Sequence, residues 1–181
     1  NTKNKLELQM TIALLFYTGI RREEAVNIKL SDISDGILLV HGKGNKERQI
    51  AVSEDMLHSL MRWRQFLGLT PLPSAADSSP LIPKIRGTGP MSDTAPLRRL
   101  VQVCFDKAAI QLRLSNQIEE ADNLSGATVH WLRHTGISED VKTRPREHVR
   151  DDAGHSSSAT TDRYIDVELK ERYLSAQKKS I

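Results

Sequence analysis

Apolar and polar positions along this chain change period several times, and each change marks an element. Leu6 to Tyr17 is almost continuously apolar along its middle, which predicts a buried or amphipathic helix ending near Thr18-Gly19. A short second helix follows from about Arg22 to Ile28. Ile37–His41 and Arg48–Val52 are strand-like, and Gly42-Lys43-Gly44-Asn45-Lys46-Glu47 between them supplies the turn residues of a hairpin. Ser31-Asp32-Ile33 predicts a short edge strand beside it. Ser53-Glu54-Asp55 has the composition of an N-cap and predicts a helix through about Phe66.

Pro, Gly and Ser crowd the stretch from Leu69 to Ser92, which reads as an irregular surface connection. A helix is expected from about Thr94 to Leu112, then a polar loop from Ser115 to Ser125. The remainder is helical in pieces, broken at Pro145 and Gly154, and Asp166–Ile181 has the pattern of an amphipathic tail helix. No internal repeat, low-complexity tract or heptad series interrupts this plan. The expected fold class is mainly α with a small antiparallel β-sheet, α+β, in a single domain over residues 1–181.

Composition narrows the class further. Hydrophobic residues make up 38% and charged residues 27%, the balance of a soluble globular protein. No apolar run approaches the roughly 20 residues that span a bilayer, so no membrane partner is expected. The single cysteine, Cys104, lies in the apolar stretch Val101 to Ile110, where it reads as core, and one thiol cannot form an internal disulfide. A reducing cytoplasm suits it. The start Asn1-Thr2-Lys3-Asn4-Lys5 lacks an initiator Met and a secretory pattern, so the expectation is an excised fragment.

Net charge is only +3, which permits a polyanionic partner without demanding one. Local distribution says more. Lys142, Arg144, Arg146, His148 and Arg150 crowd the approach to His155, and Lys84, Arg86, Arg98 and Arg99 form a second cluster; either is equally compatible with a solvated helix face.

The candidate chemistry sits in short motifs. His130 and Arg133 are one helical turn apart and would share a face, and Arg21 and Glu24 have the same spacing, so the carboxylate could orient the guanidinium. His155 and Tyr164 differ: at about 100° per residue their separation is half a turn out of phase, and one unbroken helix would point them apart. Gly154 and the serines at 156–158 allow a new helix to start after His155, leaving the imidazole free to aim independently. A phenol with a pKa near about 10 needs a base or a strongly cationic setting to act as a nucleophile. Two arginines can grip a phosphate by bidentate contacts, and a lysine on a hairpin tip, Lys43 or its neighbour Lys46, can protonate a leaving alkoxide.

Other routes to phosphodiester chemistry lack their signatures. The acidic groups Glu119-Glu120-Asp122, Glu139-Asp140 and Asp151-Asp152 adjoin no metal-ligand pattern, and neither a Walker nor a Rossmann glycine fingerprint is present. Neither cofactor nor metal is expected.

The ordered combination resembles the tyrosine recombinase, or phage integrase, family. Thr18-Gly19-Ile20-Arg21-Arg22-Glu23-Glu24 is similar to the family's first arginine box, and Gly42-Lys43-Gly44-Asn45-Lys46-Glu47-Arg48 to its hairpin lysine segment. His130-Trp131-Leu132-Arg133-His134 matches its His-x-x-Arg box, and Gly154-His155-Ser156-Ser157 with Thr160-Thr161 and Tyr164 its final His and nucleophile. The likeness runs from about Leu6 to Tyr173. It implies the family's DNA breaking-rejoining catalytic fold, in which Tyr164 attacks a scissile DNA phosphate and forms a 3′-phosphotyrosine link. Arg21, Arg133 and His155 would hold the phosphate, with Glu24 behind Arg21, His130 as base and Lys43 as acid. Double-stranded DNA becomes the implied partner, with Lys46, Arg48, Arg144, Arg146 and Arg150 as further contacts.

The resemblance also implies a cytoplasmic location on nucleoid DNA, a separate amino-terminal DNA-binding domain missing from this fragment, and a homotetramer on DNA that exchanges its C-terminal segment. The letters suit docking of that segment in cis equally well. Two other readings stand beside recombination: a DNA-binding module of the same fold without chemistry, and relaxation of DNA like that of type IB topoisomerases. Between His134 and Gly154 the chain departs from the family's usual apolar pattern, with Ser138-Glu139-Asp140 and Asp151-Asp152-Ala153 conspicuously polar.

Overall fold

The computed structural model describes residues 2–44, 46–84, 89–157 and 159–163. Tyr164, the expected tail helix over Asp166–Ile181 and the basic Arg86 lie outside them. Helix α1 (Thr2–Thr18) starts four residues before the predicted Leu6 and ends where predicted, with Gly19 in the left-handed region at φ 58°. Helix α1 packs against both α3 (Glu54–Phe66) and α6 (Val129–Thr143), which explains why its apolar residues form no single stripe. Met10, Leu14 and Leu15 are fully or almost fully buried there.

Helix α2 (Arg22–Ala25) is shorter than predicted. A turn of 3-10 helix over Leu30–Asp32 replaces most of the expected edge strand, leaving β1 as Ile33–Ser34. The hairpin strands β2 (Ile37–His41) and β3 (Glu47–Ala51) pair antiparallel in the register Leu38↔Ile50 and Val40↔Arg48, and β1 adds on the far side of β2. Leu38, Val40 and Ile50 are buried while their neighbours in sequence are less so, the alternation of a sheet covered on one face. Ser53 caps α3 by accepting a hydrogen bond from the Met56 N–H at 3.3 Å, as its position predicted.

The connection after α3 is irregular as expected, yet it is pinned. Arg64, buried in α3, donates from Nε to the Thr70 carbonyl at 2.8 Å, and the Leu81 N–H bonds the Ile28 carbonyl at 2.8 Å, drawing Leu81 and Ile82 into the core. Helix α4 (Ala95–Leu114) buries Leu97, Val101, Phe105 and Ala109, one stripe at four-residue spacing. The polar stretch expected as a loop is instead helix α5 (Ile118–Ser125). Asn116, at φ 60°, reverses the chain, the Gln117 N–H returns to the Leu112 carbonyl at 2.9 Å, and Ala121 is buried in the packing of α5 on α4. Tertiary packing of one small residue and Leu124 has outweighed the polar composition.

Helix α6 runs straight through Ser138-Glu139-Asp140 and stops before Pro145, and α7 (Arg146–Ala153) stops at Gly154, both breaks as predicted. The close approach of α1 and α6 sets the site. Gly136 of α6 lies against the backbone of α1, where an added Cβ would collide with the Phe16 carbonyl. One turn before Gly136, Arg133 is thereby brought under the end of α1.

Gly136→Ala should therefore cost about 1–3 kcal/mol of stability, because backbone cannot retreat as a side chain can. The added methyl of Gly126→Ala would meet only ordinary contacts, the nearest at 3.7 Å, and should leave the urea midpoint unchanged. Equal midpoints for the two variants would refute the close crossing.

Candidate active site

Three segments meet at one place: the end of α1, the buried side of α6 and the turn after α7. Gly19 and Arg21 come from the first, Arg133 from the second, and Gly154 and His155 from the third. Arg133 is 5% exposed. Its Nη1 donates to the Gly19 carbonyl, and its Nη2 donates to the Ala153 carbonyl at 2.8 Å and lies 3.1 Å from His155 Nε2. Arg21 reaches the same turn from above, with Nη2 donating to the Gly154 carbonyl at 3.1 Å. Arginine has donors only, so His155 Nε2 is the lone-pair nitrogen here, and Nδ1 carries the hydrogen that reaches the buried Thr161 Oγ1 at 2.9 Å.

The backbone explains how His155 escapes the helical phase. Gly154 ends α7 at φ 63°, and the His155 N–H closes back on the Arg150 carbonyl at 3.1 Å. Burial holds the His155 ring at a pKa of about 4, and the charges of Arg133, Arg21, Arg48 and then His134 push in the same direction. The ring is neutral at pH 7.

Glu24 is the pivot beneath Arg21. Its Oε2 accepts the Arg21 N–H at 2.8 Å and its Oε1 the Arg21 Nη1 at 3.2 Å, while both oxygens receive Arg48 at 2.8 Å. Burial alone would raise its pKa; the hydrogen bonds from Arg48 and the Arg21 backbone, with both guanidinium charges, bring it below the usual carboxylate range. Arg21, Glu24, Lys43, Lys46, Arg48, Gly154 and His155 line one open cleft of about 800 Å³. Lys43 and Lys46 are exposed at the hairpin tip and have no ion-pair partner among the described residues.

The predicted site residues divide as follows. Arg21, Lys43, Lys46, Arg48 and His155 converge on the cleft, with Arg133 and Glu24 holding it from beneath. His130 shares α6 with Arg133 but faces outward, with Nε2 2.7 Å from Nε2 of His134 and the rings at 84°; it is not among the residues lining the cleft. Tyr164 lies outside the described residues. Three of the expected DNA contacts are engaged by carboxylates: Arg144 by Asp140 and Asp152, Arg146 by Asp162, Arg150 by Asp151. Arg48 points inward instead of outward, and its strand parity carried that signal, since it is two residues from the buried Ile50 and cross-strand from the buried Val40. Thr161 falls within the quoted motif, although nothing in the letters indicated its bond to the His155 ring, and the positioning carbonyls of Gly19 and Ala153 had no sequence signal beyond proximity to the motifs.

A neutral histidine, two arginines and two hairpin lysines around an open cleft have the donor chemistry that suits an anion. The phage integrase family model matches residues 1–171. This chain belongs to that family. A curated tyrosine recombinase from Agathobacter rectalis is 27% identical over 177 residues, covering 91% of this chain and 49% of that protein. Among solved structures, the XerH site-specific recombinase bound to palindromic difH substrate aligns over 98% of this chain and 47% of its own, with TM-score 0.66 and 22% identity. A lambda integrase tetramer bound to a Holliday junction aligns over 84% and 41%, with TM-score 0.54 and 21% identity. The chain spans about half the length of the curated relatives it matches. The family's mainly helical catalytic fold with a three-stranded antiparallel sheet is thus the fold found here, and among the described residues no helix is long and apolar enough to cross a membrane.

His155 gives a titration to measure. Unfolded, the ring would bind a proton near 6.5; folded, it does so only near about 4. The unfolded chain therefore takes up the proton first as pH falls, so the neutral ring's contribution to stability is intact above about 6.5 and is lost progressively toward about 4. NMR of the His155 ring should find its midpoint near the lower value, and inorganic phosphate should raise it by offsetting the neighbouring guanidinium charges. A midpoint unmoved by phosphate would remove the anion from this cleft.

Proposed function

We propose that this chain is the DNA-cleaving domain of a tyrosine-type site-specific recombinase. The phenolic oxygen of Tyr164 attacks a scissile phosphate, its proton passing to His130, and a bond forms from that oxygen to phosphorus. The bond from phosphorus to the 5′-oxygen breaks, and Lys43 supplies the proton that the departing oxygen takes. Arg21, Arg133 and His155 hold the nonbridging oxygens, where charge builds in the transition state. The resulting 3′-phosphotyrosine keeps the energy of the broken linkage, so a 5′-hydroxyl from a partner strand can reverse the step without ATP or metal.

The convergence of Arg21, Arg133 and His155 on the turn at Ala153-Gly154 carries this reading. Residues from three separated motifs meet there through hydrogen bonds of 2.8–3.1 Å. Double-stranded DNA fits the open, cationic cleft as substrate, with Lys46 and the exposed flank of α7 as phosphate contacts. By analogy with the lambda integrase tetramer, four protomers would act together on paired duplexes, exchanging their C-terminal segments, in the cytoplasm where bacterial DNA lies.

Incubation with a nicked suicide duplex should yield a covalent protein–DNA adduct that Tyr164→Phe abolishes. Arg21→Ala should slow adduct formation by about 10²–10³-fold, the usual loss for one group that stabilises developing charge. DNA binding without any adduct would overturn the enzymatic reading, and supercoil relaxation without joining of two sites would replace recombination by a topoisomerase activity.

A further inference from the structure

The chemistry above leaves Arg48 without a task, although its side chain lines the cleft. Its side chain is 15% exposed. Nη1 and Nη2 each donate to one oxygen of Glu24 at 2.8 Å, a fork on a carboxylate, and Nε donates to the Asp152 carbonyl at 2.8 Å. One guanidinium thus ties β3 to α2 and to the last turn of α7. Gly154 keeps its path open, whereas a side chain at Gly42 would meet it only at ordinary contact distance. A Cβ at Gly154 would stand 3.1 Å from the Arg48 guanidinium, and a Cβ at Gly42 would stand 3.5 Å from Glu24 Oε1 and 3.8 Å from Arg48 Nη1.

Gly42 is also where the hairpin leaves its ladder. Val40 pairs with Arg48 and His41 with Glu47, and the Gly42 N–H then bonds the Lys46 carbonyl at 2.7 Å. Lys43 follows immediately. The tip that carries it is exposed, and the tip is short, so its placement depends on the last fixed point below it. Glu24 supplies that point and simultaneously orients Arg21, so one carboxylate references the lysine and the arginine to each other.

We infer that Arg48 is a positioning residue: its fork on Glu24 and its bond to the Asp152 carbonyl fix the root of the hairpin, so that Lys43 is presented to the phosphate that Arg21 and His155 hold. This rests on the reading of Lys43 as the proton donor. Lysine cannot substitute, because one ammonium cannot span both carboxylate oxygens and a carbonyl on the opposite side.

A suicide duplex whose bridging 5′-oxygen at the scissile phosphate is replaced by sulfur separates this role from mere stability, since a thiolate departs without needing a proton. On ordinary DNA, Arg48→Lys should form adduct about a hundredfold more slowly than the unmodified chain, the scale of loss for a misplaced catalytic group. On the sulfur duplex it should recover to nearly the unmodified rate. Lys43→Ala should behave in the same way, whereas Arg21→Ala should lose equally on both duplexes. A second variant, Arg48→Gln, leaves Glu24 and its hold on Arg21 in place and should repeat the Arg48→Lys pattern if folded by circular dichroism. Equal loss of Arg48→Lys on both duplexes, or no loss on either, would overturn the assignment. Absence of adduct from the unmodified chain on both duplexes would instead refute the recombinase reading itself, and this assignment with it.

Discussion

A single buried carboxylate holds the cleft together. Glu24, 6% exposed, accepts the backbone and side chain of Arg21 on one side and the full fork of Arg48 on the other. Desolvating a carboxylate is costly, and only near-ideal geometry with its lone pairs satisfied offsets it. Here three of its four donors are guanidinium N–H groups at 2.8 Å or 3.2 Å and the fourth is a main-chain N–H at 2.8 Å, so the ionised form is kept. The consequence is positional. Removing either arginine would leave a buried charge partly unmatched, so the arrangement is held in register by the penalty of disturbing it.

That penalty also explains what the letters conveyed and what they did not. Turn chemistry and the ends of elements were legible: Ser53, Gly19, Pro145 and Gly154 each act through local backbone rules, which operate before any tertiary contact forms. The helix over Ile118–Ser125 was not, because its stability comes from Ala121 seated on α4, a contact invisible in a polar run. At the site, Arg21, Arg133 and His155 were readable as motif residues, but their meeting depends on Gly136 letting α6 touch the backbone of α1, and a lone mid-helix glycine gives no hint of its neighbour. For Arg48 the charge suggests a DNA contact, while strand parity carries its inward direction.

The polar departure between His134 and Gly154 has a physical account. Where α6 meets α7 the apolar cluster is small: Ile137, Val149 and Ala153, with Val141 packed against it. Arg144 completes the junction by pairing with Asp140 of α6 and Asp152 of α7. Burial pushes the Asp140 carboxyl upward against the pull of Arg144, and Asp152 pushes it the same way, so the clasp is a balance of opposed terms rather than a pure gain. Asp152 serves twice, since its side chain binds Arg144 while its carbonyl binds Arg48. The junction that orients the His155 turn is thereby joined to the hairpin root through one residue.

Charge then decides the state in which the cleft rests. With His155 neutral, Arg133 and Arg21 can lie close to it without like-charge repulsion, and the imidazole lone pair accepts from Arg133. Under the proposed function, a phosphate would compete for those same donors. Its charge would offset the guanidinium charges that depress the ring's proton affinity, and a protonated His155 would then offer a donor from the nitrogen that accepts here. On that proposal the free and anion-bound clefts would be two arrangements of one hydrogen-bond network, separated by a proton and anchored on a carboxylate that takes part in neither change.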